Sequence, residues 1–205
     1  MLFLAVLALS MSTVRPAGGR YTVLAEITLR RWGFVVAALA GQILLISVID
    51  RPSATVAGVL HLATYAIAAG FLIANRQIRG VALIAAGAAL NVAAIAVNGG
   101  TMPAASAALR SAGIAPDADH FNNSATVVGA RLPWLGDVFA VPARFGALAN
   151  VFSIGDAVLC VGVVLLIHHA AGCPWTGRVR DLPPSVTAEP ARAVGGAELP
   201  GSLAR

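Results

Sequence analysis

The chain has 205 residues, 58% hydrophobic and 11% charged; its 14 basic residues are all arginine and face nine acids, for a net charge of +5. Soluble domains run near ~45–50% apolar and ~25% charged, so this composition excludes chain-wide disorder and argues against an ordinary soluble domain. Two cysteines, Cys160 and Cys173, are too few for a disulfide framework.

Residues 1–14 are apolar but amount to only ~21 Å of helix. They lack the basic start and small-residue cleavage site of a secretory signal, so they are expected to stay in the chain as a short, tilted first span. In Tyr21–Trp32, Tyr21, Leu24, Ala25 and Ile27 recur at helical spacing while Glu26 and Arg30 share another face. This predicts a small amphipathic connector, with Trp32 at an interfacial level. Charge-free stretches follow at 32–49, 52–75, 80–109 and 157–177, of 18, 24, 30 and 21 residues. A hydrocarbon core of ~30 Å needs ~20 apolar residues, so each of these is read as a span. The third is ended near Val97 by the turn chemistry of Asn98-Gly99-Gly100 and by Pro103.

The expected fold is therefore an all-α membrane protein with about five transmembrane helices, at about 1–14, 33–50, 54–75, 80–97 and 153–171. An outer loop covers 98–150, and a proline-rich disordered tail covers 172–205. Ten arginines, including Arg15, Arg20, Arg30, Arg31, Arg76 and Arg79, fall on one side of these spans; Arg51, Arg110, Arg131 and Arg144 fall on the other. The positive-inside rule then predicts a cell membrane protein with the ten arginines in the cytoplasm, the N-terminus outside and the C-terminus inside. Small-residue pairs such as Ala37/Gly41 and Ala66/Gly70 permit close helix packing.

Polar residues inside apolar helices are costly and therefore informative. Gln42, His61 and Asn91 each fall ~10–14 Å below the outer face by helix rise, which suggests a polar layer open to the outside. The plainer reading is interhelical hydrogen bonding, with Tyr65 one turn from His61 as a ready neighbour. In the outer loop, Asn98 opens a turn, and a short helix is predicted up to Gly113 with Thr101 as its cap. Asp117, Asp119 and His120 have divalent-cation chemistry, yet three ligands on a loop read better as a solvated cluster, so no metal site is assigned. Val127–Val128 and Val138–Val141 flank Arg131–Asp137, which reads as a surface hairpin anchored by Trp134.

Two carboxylates carry the sharpest hypothesis. Asp137 and Asp156, if brought within hydrogen-bond reach, would share a proton, so that one activates water while the other protonates. The competing reading is structural: Ser153-x-x-Asp156 spells a capping box at a helix entry, and Asp137 is free to pair with Arg131 or Arg144. His169 and Cys173 share a helix face in this reading, but two ligands do not make a zinc site. The sequence holds no nucleotide-binding glycine motif, hence no expected cofactor, and no interleaving of basic and aromatic residues for nucleic acid.

Three motifs in order, NGGTMP (Asn98–Pro103), RLPWLGDVFAVP (Arg131–Pro142) and NVFSIGD (Asn150–Asp156), resemble those of a bacterial multi-pass membrane family, domain-of-unknown-function family 5317. The likeness covers Met1 to about Gly172; it implies a membrane location and carries no activity. Locally, Phe152–Leu166 is similar to the last-helix motif of lipoprotein signal peptidases, phenylalanine-asparagine-x-alanine-aspartate followed by an apolar run. That likeness implies one half of an aspartyl dyad at Asp156, with Asp137 as its partner. Ser153 replaces the motif asparagine, and the setting of Asp137 lacks the family's glycine-asparagine-x-x-aspartate-arginine.

Three functions are thus in view. The first is a non-catalytic membrane protein whose outward polar cap, with Asn98 and Asn150 beside Gln42, His61 and Asn91, binds a lipid, peptide or protein partner. The second is a membrane aspartyl peptidase using Asp137 and Asp156. The third is a small-molecule transporter, ranked last because no acid or base lies at the centre of a span.

Overall fold

The computed structural model describes residues 2–47, 54–115 and 124–177. Its helices are α1 (Leu2–Thr13), α2 (Tyr21–Leu24), α3 (Gly33–Ser47), α4 (Ala54–Ala74), α5 (Val81–Val97), α6 (Ser106–Ala112) and α7 (Ile154–Ala170). Short strands are β1 (Met102–Pro103), β2 (Ser124–Ala125), β3 (Phe139–Val141) and β4 (Asn150–Phe152). β1 pairs in parallel with β2, and β3 pairs antiparallel with β4, Phe139 opposite Phe152 and Val141 opposite Asn150.

These observations correct the expectation of an all-α membrane fold with about five transmembrane helices. Among the described residues, no helix is long and apolar enough to cross a membrane, and two small β-ladders are present. α1, α5 and α7 lie within about a residue of the ranges expected for them, so the correction is one of length and not of position. α1 has 12 residues, α3 15, and α5 and α7 17 each; at ~1.5 Å per residue the last two reach only ~25 Å. The longest element, α4, has its side chains described without interruption only over 58–74.

Two helix pairs make up the body. α5 and α7 run antiparallel and touch backbone to backbone, because glycines recur every seven residues on both: Gly80 and Gly87 on one, Gly155 and Gly162 on the other. A Cβ on Gly162 would lie 2.7 Å from Ile84 N, and one on Gly87 would lie 2.7 Å from Leu159 N. Glycine lets the two axes approach at a distance no other residue allows. The second pair is α3 on α4, where Gly41 lies against Thr64 and Gly70 against the Phe34 ring.

The pairs join at their two ends. At one end, Leu62 and Tyr65 of α4 pack with Ala94, Ile95 and Met102, while Gly58 lies directly on the Gly99–Gly100 turn. At the other, Ile78 and Val81 pack with Leu72 and Leu166. α1 lies along α7, and Val14 packs with Ile167, Ala171 and Cys173.

The amphipathic connector is shorter than expected. Only Tyr21–Leu24 is helical, and the chain then turns so that Asn75 holds Arg30 by two bonds, Arg30 N to Oδ1 and Nδ2 to the Arg30 carbonyl (2.9 and 2.8 Å). α6 begins at Ser106 after Ala105, so Thr101 does not cap it. The hairpin is also displaced: β3 and β4 embrace the 3-10 turn Ala143–Leu148, while Pro133–Leu135 is a separate turn whose Gly136 abuts the Pro103 carbonyl. α7 ends at Ala170, so Cys173 lies beyond the helix that carries His169. Part of the expected tail, 172–177, turns back onto the body, with Cys173 and Thr176 buried. The cation-like trio Asp117, Asp119 and His120, and the tail beyond 177, lie outside the described residues.

Candidate functional site

The polar side chains singled out in the sequence gather at the end where the cap, 98–152, meets the helices, in two hydrogen-bonded groups. The first ties α3 to α4 and α4 to the cap. Gln42 Nε2 donates to Thr64 Oγ1 (2.6 Å), which donates to the His61 carbonyl (2.6 Å). The fully buried His61 ring donates from Nδ1 to the Gly100 carbonyl (2.9 Å) and lies 5.4 Å from the Tyr65 ring. Burial lowers the His61 pKa, against a smaller upward pull from the Gly100 bond. Gln42 Oε1 is buried with no partner among the described residues.

The second group locks α5 to the entry of α7. Ser153 Oγ accepts from Asp156 N (2.9 Å) while Ser153 N donates to Asp156 Oδ2 (3.0 Å), which is the capping box its spacing predicts. Asn91 closes the ring: its Oδ1 accepts from Ser153 Oγ (2.8 Å) and its Nδ2 donates to Asp156 Oδ1 (2.7 Å). The close approach at Gly155 makes this geometry accessible, since a Cβ there would lie 2.7 Å from Asn91 Cγ.

Asp137 is buried beside β1. Its backbone bridges the cap, with Asp137 N donating to the Pro103 carbonyl (2.8 Å) and Ala105 N to the Asp137 carbonyl (3.0 Å). Tyr65 relates the two carboxylates. Its pKa is pushed up to about 12, first by burial and then by the charges of Asp156 and Asp137, so both carboxylates bear on one phenol. Chemically, Asp156 is committed to a helix cap and to Asn91, which suits a structural brace better than a water-activating base.

Asn98 braces the cap, donating from Nδ2 to the Ala94 and Arg131 carbonyls (2.7 and 2.8 Å) and accepting from Arg131 N (2.8 Å). Asn150 stands in β4 opposite Val141. The Gln42, His61 and Asn91 side chains thus serve two different helix contacts; the described bonds do not join them in one layer.

A feature that the sequence reading missed lies at the opposite end. Arg20 N donates to the Ala171 carbonyl, Asn75 holds the Arg30 backbone, and Arg79 Nη1 donates to the Thr176 carbonyl (2.8 Å). These ties collect Arg20, Arg30, Arg31, Arg76 and Arg79 around the C-terminal ends of α4 and α7, with Arg15 following α1 at the same end. Arg30, Arg31 and Arg76 line a notch of about 420 Å³. Beside it, an apolar groove of about 590 Å³ runs between α4 and α5, lined from Leu62 to Arg76 on one side and from Val81 to Ala96 on the other. The arginine asymmetry was visible in the sequence; the groove was not, because it depends on how the helix pairs splay.

Among the described residues, no group of three or more His, Cys, Asp or Glu side chains is placed to hold a metal ion. No curated protein and no solved structure matches the chain. The model of a family of unknown function, DUF5317, matches residues 26–168. That match spans most of the chain and includes the Asn98 turn, Asp137, the Ser153 cap and Asp156, so the chain belongs to the DUF5317 family.

Proposed function

We propose that this chain acts at the bacterial cell membrane as a non-catalytic, lipid-binding protein, its arginine-rich end against anionic headgroups and its cap turned away from them. One observation carries the reading: an apolar body is polarised in charge, with six arginines at one end of the helices and the hydrogen-bonded cap at the other. Leu9, Ile43, Val59, Ile73 and Val161 are each more than half exposed on the helix flanks. Apolar surface on this scale calls for a nonaqueous or protein cover, and lipid suits it because basic residues near an anionic bilayer surface each contribute ~1 kcal/mol. The Asn91–Ser153–Asp156 ring favours a structural role for Asp156, and this places the binding reading ahead of the aspartyl dyad.

Fractionation of cells expressing the full chain tests this. The protein is expected in the membrane pellet through a high-salt wash and to be released by detergent. Recovery in the detergent-free supernatant overturns the reading. Turnover of a lipid-modified peptide by the parent, abolished in D156N, would instead establish the peptidase.

A further inference from the structure

We propose that the α4/α5 groove seats one acyl chain of an anionic phospholipid, with its phosphate held by Arg76 at the groove mouth and by Arg30 and Arg31 beside it. The groove follows from the packing. α4 is drawn onto α3 and α5 onto α7 by their glycines, and the pairs meet through the clusters at either end. Between those clusters the facing residues are mostly alanines, too short to fill the gap, which leaves about 590 Å³ open. Along α5 the lining runs from Val81 to Ala96, about 22 Å by helix rise. An extended lipid tail fits that length, since one leaflet of a ~30 Å hydrocarbon core is ~15 Å deep.

The charge at the mouth selects the occupant. Arg76 lines both the apolar groove and the notch that it shares with Arg30 and Arg31. Among the described residues, none of the three guanidiniums pairs with an acid. A long apolar trough ending at Arg76, with Arg30 and Arg31 in the adjoining notch, fits a single-molecule ligand with a hydrocarbon tail and an anionic phosphate head. Leu62 and Tyr65, which pack with Ala94, Ile95 and Met102, line the end of the groove nearest the cap.

The inference rests on the membrane reading above, and its test separates the two. The full chain, purified in mild detergent, is offered equal phosphatidylglycerol and phosphatidylcholine of the same acyl composition, and bound lipid is counted by native mass spectrometry. One phosphatidylglycerol is expected to be retained in preference to phosphatidylcholine. R76Q, a change at an exposed position, is expected to reduce that preference about fivefold, the effect of one basic residue at an anionic surface. A89W, which fills the groove from α5, is expected to abolish retention while leaving the circular dichroism unchanged. Equal retention of the two headgroups by the parent overturns the inference, as does undiminished phosphatidylglycerol binding by a folded A89W. If A89W does not fold, R76Q decides alone. A chain found in the membrane pellet with neither variant effect loses the groove but keeps the membrane reading; a chain found in the supernatant loses both.

Discussion

Asn91 touches Ser153 and Asp156 at once, so its replacement strands two polar groups in a closely packed seam. A buried group left unsatisfied costs ~1–3 kcal/mol. N91L is therefore expected to lower stability by about 2–4 kcal/mol, and D156A by about 1–2 kcal/mol through loss of the cap. Chemical denaturation of the detergent-solubilised chain reads both, and an unchanged midpoint in N91L would remove Asn91 from its bracing role. His61 adds a pH dependence. Its folded pKa is lowered by burial, so below the unfolded value of about 6.5 the unfolded chain takes up a proton that the folded chain resists. Stability is expected to fall as pH drops through that value, and H61Q to flatten the curve. The capping box was legible because Ser153 and Asp156 sit three apart; their link to Asn91 was not, because it spans 62 and 65 residues of chain.

Among the elements, the α5–α7 seam is the most exacting contact. A Cβ on Gly162 would come 2.7 Å from Ile84 N and 2.9 Å from the Gly80 carbonyl, and overpacking of this kind costs ~1–3 kcal/mol. G162A is expected to reach the upper part of that range. G33A, where nothing lies within 4 Å of the added methyl, is expected to stay within about 0.5 kcal/mol of the parent. Thermal melts of the two variants side by side check the contrast. The sequence located α3, α4, α5 and α7 well, since charge-free stretches mark apolar helices whatever surrounds them. It misplaced the hairpin because Leu132–Gly136 has turn chemistry either way. The contact of Gly136 with Pro103 and the Asp137 N–Pro103 carbonyl bond show that this turn bridges to β1, which leaves Val141 and Asn150 to pair across the next turn. It also missed the seven-residue glycine spacing, which gains meaning only once the two helices are known to be antiparallel partners.

On the scale of the whole molecule, composition foretold an apolar body with an uneven arginine distribution, and the fold gathers those arginines at one end. The helices α5 and α7 fall within a residue of the ranges expected for them, but at 17 residues each they are shorter than the ~20 a crossing needs, and it was as spans that those ranges were misread. Trp32, two-thirds exposed beside Arg31 at the basic end, is a natural reporter of the proposed contact with lipid. The most direct measurement uses the W134F/W175F chain in phosphatidylglycerol vesicles, with brominated acyl chains and aqueous iodide as competing quenchers of Trp32. The account predicts strong quenching by bromine and little by iodide. Strong quenching by iodide with none by bromine would place the basic end in water and contradict it.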